Sequence, residues 1–127
     1  YFDGSYRLFQ DSDQPYGSTI IGTGGYRLIT ATADATDSEL YVDGFTETLN
    51  GVVGKVDGSG SSFNGNVEIG SFYNGGLLNG KIAEIVLMPT VATLDERQKL
   101  EGYLAHKWGI TANLDAGHPY KSSAPTI

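Results

Sequence analysis

Gly80–Ile110, GKIAEIVLMPTVATLDERQKLEGYLAHKWGI, joins a strongly apolar segment to a helix with both ends marked. Ile82 to Met88 are apolar on both faces apart from Glu84, the pattern of a strand inside a sheet covered on both sides. Pro89 cannot donate to a ladder and ends that strand. Thr93 then opens a capping box with Glu96 three residues later, so hydroxyl and carboxylate satisfy amides that the first helical turn leaves unpaired. Asp95 and Glu96 place negative charge at the positive end of the helix dipole, and Gly109 follows the last periodic residue as a C-terminal cap. Leu100, Tyr103, Leu104 and Trp108 recur at helical spacing and predict the docking face, with Arg97, Glu101 and Lys107 mostly directed elsewhere.

The order of a glycine, an I-A-E-I strand, a short turn, D-E-R-Q-K-L-E-G-Y-L-A-H-K-W-G and then G-H-P-Y resembles the C-terminal part of concanavalin A-like (laminin G-like) domains of bacterial surface and phage structural proteins. Upstream, Leu28 to Gly44 (LITATADATDSELYVDG) looks like that family's paired strands ending in a Y-V-D-G or Y-V-N-G hairpin, and Val67 to Gly70 (VEIG) like its I-G strand. The likeness runs from about Gly25 to Tyr120. It implies an all-β chain, a concanavalin A-like jelly-roll β-sandwich with one short C-terminal helix. Such domains usually carry several strands before the point where this chain begins. The resemblance therefore implies a sandwich lacking its first strands, completed by a separate fragment or a neighbouring subunit, most simply in a homo-oligomer; unpaired edges invite such pairing. Lectins, adhesins, spacers and hydrolases all use this fold, so it does not choose among functions.

Composition supports one domain on separate grounds. A chain of 127 residues with 39% hydrophobic residues and 18 glycines can bury one core and is too short for two. Residues 1–127 are thus expected to form a single domain, with 111–127 as its C-terminal tail. The chain opens on Tyr1 without a signal-like segment, and we expect it to continue a longer protein. No apolar run approaches the roughly 20 residues that span a bilayer, so no membrane insertion is expected. Eight basic against 15 acidic residues give a net charge of -7, which disfavours nucleic acid and anionic membranes as partners. The absence of cysteine excludes disulfides, thiolate metal sites and cysteine nucleophiles.

Short segments parted by turn chemistry fill the rest of the chain, as in an all-β sandwich. Tyr6 to Gln10 and Ser18 to Thr23 read as strands. Tyr26, Leu28, Thr30 and Thr32 alternate with Arg27, Ile29, Ala31 and Ala33, a period-two pattern of β-formers. Asp34 to Ser38 turn into Glu39 to Val42, and Asp43-Gly44 between Tyr41-Val42 and Phe45-Thr46 is a tight-hairpin signal with a structural role. Gly51 to Gly80 hold half of the 18 glycines, clustered at Asp57 to Ser62 and Asn74 to Gly76; they read as exposed loops and do not match a phosphate cradle. Thr111 to Ile127 reads as a tail that packs through Leu114 and Tyr120 or extends to a partner.

Catalytic chemistry has little support in the sequence. Neither the spacing of His106 and His118 nor any H-E-x-x-H run fits zinc, and both histidines read as surface or hydrogen-bonded groups. Retaining glycosidases of the resembled fold carry an E-x-D-x-E type strand; the nearest approach here, Glu39-Leu40-Tyr41-Val42-Asp43, puts its two acids four apart across a hairpin turn. No nucleophile elbow appears, since Gly58-Ser59-Gly60-Ser61 is a loop. Calcium is the one cofactor with a case, through Asp34, Asp37, Asp57 and Asn64, although no D-x-D-x-D-G loop is present and turn acids bonding their own backbone explain the same residues.

Two functional readings follow. In one, the chain is a non-enzymatic lectin-like module of a virion or cell-surface assembly, exposed extracellularly or on the virion, with Tyr73, Asn74 and Asn64 offering ring stacking and amide hydrogen bonds to a glycan. In the other it is a purely structural assembly module with no glycan ligand. A glycoside hydrolase remnant is third. Tyr6, Phe9, Phe63, Phe72 and Tyr103 read as core or interface rather than sugar platforms.

Overall fold

The period-two run of β-formers at residues 26–33 supplies an outer strand of a three-stranded antiparallel sheet, and the segment running into Asp43 supplies its central strand. The structure, a computed structural model, describes residues 16–17, 25–33, 38–50, 69–72 and 76–126. β2 (Ile29–Ala33) pairs with β3 (Ser38–Val42) in a register running from Ile29↔Val42 to Ala33↔Ser38. β3 continues into β4 (Phe45–Thr46) through Tyr41↔Thr46 and Val42↔Phe45. Two further antiparallel pairs are short: β1 (Tyr16–Gly17) with β5 (Leu49–Asn50), and β6 (Ser71–Phe72) with β7 (Gly76–Leu77). Helix α1 (Leu94–Lys107) and a 3₁₀ turn at Thr111–Asn113 follow. The described residues thus form a small antiparallel sheet, two strand pairs and one helix, a β-rich arrangement.

The hairpin signal is realised in full. Asp43 and Gly44 adopt φ of 53° and 83°, the two left-handed conformations that a tight turn matching the strand twist requires. Leu40, Tyr41 and Val42 are all buried, although consecutive side chains on a strand point to opposite faces. The strand covered on both faces is therefore β3, the middle of its sheet. Fully burying a side chain of this kind contributes on the order of 1.5–3 kcal/mol.

Residues 82–88, expected as the doubly covered strand, form no strand. Their apolar side chains are exposed, from Val86 at 44% to Leu87 at 74%. A ladder needs a second backbone within hydrogen-bonding distance as well as apolar side chains. Among the described residues, this stretch has, instead of a ladder partner, a side-chain tie to the end of α1: Glu84 accepts from Lys107 Nζ at 3.0 Å and from Trp108 Nε1 at 2.8 Å. The expected V-E-I-G strand is also corrected in part, because Ile69 and Gly70 form a bend and pairing starts at β6.

Both helix ends form as the sequence dictates. Glu96 N–H donates to Thr93 Oγ1 at 3.3 Å, and Thr93 N–H donates to Glu96 Oε2 at 2.8 Å, closing the capping box. Gly109 takes φ 67° just beyond the last turn. The buried face, however, is Arg97, Glu101, Gly102 and Ala105, while Leu100, Tyr103 and Leu104 are half-buried and Trp108 is exposed. The expected apolar stripe is not the deepest contact, because α1 docks on a hairpin turn and a histidine whose polar groups need partners.

The tail packs. Leu114 is 2% exposed, and Tyr120 lies so close to Gly102 that a Cβ there would overlap its side chain. Among the described residues no helix is long and apolar enough to cross a membrane. The expected strands at 6–10 and 18–23, the turn residues 34–37 and the glycine cluster at 57–62 lie outside the described residues.

Candidate functional site

The most concentrated chemistry among the described residues is a buried polar junction between the β3–β4 turn, α1 and the C-terminal segment. Sequence fixes its first member by turn geometry. A residue entering a two-residue turn has its backbone groups free of the strand ladder, and Asp43 uses every one. Its N–H donates to Leu28 O at 2.8 Å, its carbonyl accepts from Asp115 N–H at 3.0 Å, and Oδ1 accepts from Leu28 N–H at 2.9 Å. Arg27 Nη1 donates to Oδ2 at 2.6 Å. Asp43 is 2% exposed and Arg27 reaches it from the surface, so the buried carboxylate meets a partly solvated cation.

Glu101 is the second buried carboxylate. One helical turn before it, Arg97 Nη1 donates to both carboxylate oxygens, at 2.8 and 2.9 Å. The guanidinium carbon also sits 3.7 Å from the centroid of the Tyr41 ring, so an aromatic face covers the cation and a carboxylate neutralises it. On the other side of Glu101, His118 Nε2 stands 3.3 Å from Oε2. His118 in turn fills the space above the turn: a Cβ on Gly44 would come 2.9 Å from His118 Cδ2. The turn therefore needs glycine both for its φ and for its clearance.

Tyr41 completes the junction. Its hydroxyl donates to Glu39 Oε2 at 2.5 Å, and burial together with that bond pushes the phenol up to about 12. It is a neutral donor at any physiological pH, unsuited to act as a base or nucleophile. Lys121 Nζ donates to the carbonyls of Ala112 and Leu114, which closes the C-terminal segment on itself. His106, in the last turn of α1, sets Nε2 2.9 Å from Tyr120 O. Each titratable member of the junction is thus tied to another part of the chain. Together they act as a clamp that fixes helix and tail to the hairpin.

Three of the motifs singled out in the sequence meet here: the Y-V-D-G hairpin, the helix opened by D-E-R-Q-K-L-E-G-Y, and the G-H-P-Y turn. His118 and His106 are hydrogen-bonded, as expected of them. Asp43 has the structural role expected of it. Arg97 and Glu101 were expected to point elsewhere and are instead the buried core of the junction; their i, i+4 spacing carried the signal, since an arginine and a glutamate one turn apart form a pair wherever they lie. Asn64, Tyr73 and Asn74, expected to bind glycan, and Asp34, Asp37 and Asp57, expected to hold calcium, all lie outside the described residues. Among the described residues no three acidic or histidine side chains come together to hold a metal ion. No protein-family model, curated protein or solved structure matches the chain.

Proposed function

We infer that the chain is a non-enzymatic, lectin-like module of the concanavalin A-like jelly-roll type, displayed on a virion or cell surface. The observation that supports this most is the junction itself. The hairpin, helix and histidine turn on which the resemblance rests converge on one buried cluster, and the acids and bases there are consumed in holding them together. A domain built this way offers its loops for recognition while the clamp keeps the scaffold rigid. In this reading Tyr73, Asn74 and Asn64 contact glycan, and Asp34, Asp37 and Asp57 order a rim loop, with calcium as the ion they would take.

A second reading, a structural module without glycan ligand, is favoured by the apolar side chains exposed at Leu78, Ile82, Ile85, Val86, Leu87, Met88 and Val91. An apolar stretch of that length is the usual mark of protein contact. One experiment separates the readings. Purified chain is applied to a broad glycan array beside Tyr73→Ala, and its mass in solution is measured by light scattering. Binding that Tyr73→Ala loses supports the lectin reading. Oligomers with no glycan signal support the structural one, and a monomer with neither property overturns both.

A further inference from the structure

The two histidines hold the two backbone polar groups of one residue, Tyr120. Tyr120 N–H donates to His118 Nδ1 at 3.3 Å, and Tyr120 O faces His106 Nε2 at 2.9 Å. An amide N–H needs an acceptor, so His118 Nδ1 carries no proton and its ring hydrogen sits on Nε2, directed at Glu101 Oε2. A carbonyl needs a donor, so His106 Nε2 carries its hydrogen. The consequences of adding a second proton differ between the rings. On His106 it goes to Nδ1 and leaves the Nε2–H bond to Tyr120 O intact. On His118 it goes to the nitrogen that accepts from Tyr120, turning a hydrogen bond into two donors facing each other.

The surroundings of His118 do not offset that loss. From α1 it faces Glu101, both of whose carboxylate oxygens already accept from Arg97 Nη1. From the hairpin it packs on Gly44, beside Asp43, which is held by Arg27. Along its own segment the charged neighbours are Asp115, whose carbonyl accepts from His118 N–H, and Lys121, whose N–H donates to His118 O. Each buried carboxylate is already matched by one guanidinium, and the His118 side chain is 2% exposed, so a charged ring adds an unmatched buried cation.

We propose that His118 is an acid-released latch: neutral, it fastens the C-terminal segment to α1 and the β3–β4 turn, and protonation at Nδ1 unfastens it. Freeing the segment takes His118 from Glu101 and Tyr120 from Gly102 on α1.

The test is thermal unfolding of the full chain at pH 7.5 and pH 5.5, with His118→Gln and His106→Gln alongside, and ¹⁵N NMR of the ring nitrogens. The parent and His106→Gln should lose about 5 °C in Tm on acidification, while His118→Gln, which has no imidazole in the latch, holds its Tm. At pH 7.5 the His118 spectrum should show Nε2–H with an unprotonated Nδ1, and the Tyr120 amide should shift with the same midpoint as that ring. The NMR arm stands even if His118→Gln fails to fold. A parent Tm unchanged between the two pH values, a variant lacking His118 that falls as the parent does, or an Nδ1–H tautomer overturns the latch.

Discussion

Gly44 shows how one residue carries two requirements. Its φ of 83° belongs to the left-handed region, and its missing Cβ makes room for His118. Gly44→Ala combines backbone strain with a 2.9 Å contact, and the expected loss is about 1–3 kcal/mol in urea unfolding. A loss of a few tenths would mean that the histidine moves aside freely and that the turn, not the clamp, sets the need for glycine. The first requirement is legible in the sequence, because Asp-Gly between two β-forming pairs demands positive φ. The second is not, since His118 lies 74 positions downstream and only the fold brings it over the turn.

Helix α1 separates what local sequence controls from what it does not. Its ends were readable because capping acts within four residues: Thr93, Glu96 and Gly109 suffice. Thr93→Ala should cost about 1 kcal/mol, measured by chemical denaturation at neutral pH. The backbone and hydroxyl bonds from Thr93 hold the Glu96 carboxyl below its ordinary value. A depressed carboxyl stabilises the fold above its unfolded value and loses that contribution as pH falls through the folded one. The penalty of Thr93→Ala should accordingly narrow below about pH 4.5, where unfolded carboxyls take up protons. A penalty constant from pH 7 to pH 3 would show that the carboxylate half of the capping box contributes nothing. The buried face differs from the apolar stripe for a physical reason: apolar spacing finds the greasiest positions, while α1 is docked through Arg97 on Tyr41, Glu101 beside His118 and a close contact of Gly102 with Tyr120, none of which periodicity weighs.

Across the whole molecule, residues 82–88 are tied to the end of α1 through one side chain. The bond from Lys107, then that from Trp108, holds the Glu84 carboxyl below its ordinary value. Its contribution is present above about pH 4.5 and is lost as pH falls through the folded value. Trp108 is the sole tryptophan and reports on this contact directly. Its fluorescence should change in one step under acid as the Nε1–H partner is protonated, and Glu84→Gln should remove that step while raising amide exchange in residues 82–88. A tryptophan signal that titrates identically in Glu84→Gln would detach the segment from the helix end.

Sequence alone determined the elements whose causes are local: the period-two strands around residues 29–42, the Asp43-Gly44 hairpin and both ends of α1, each set by groups within a few residues. Tertiary structure decided which surfaces meet. It made β3 the doubly covered strand instead of residues 82–88, buried Arg97 and Glu101 in place of the apolar stripe, and set His118 between helix and turn. Burial of a charged pair depends on partners distant in sequence that neutralise it and fill its hydrogen bonds, and those partners exist only once the chain has folded.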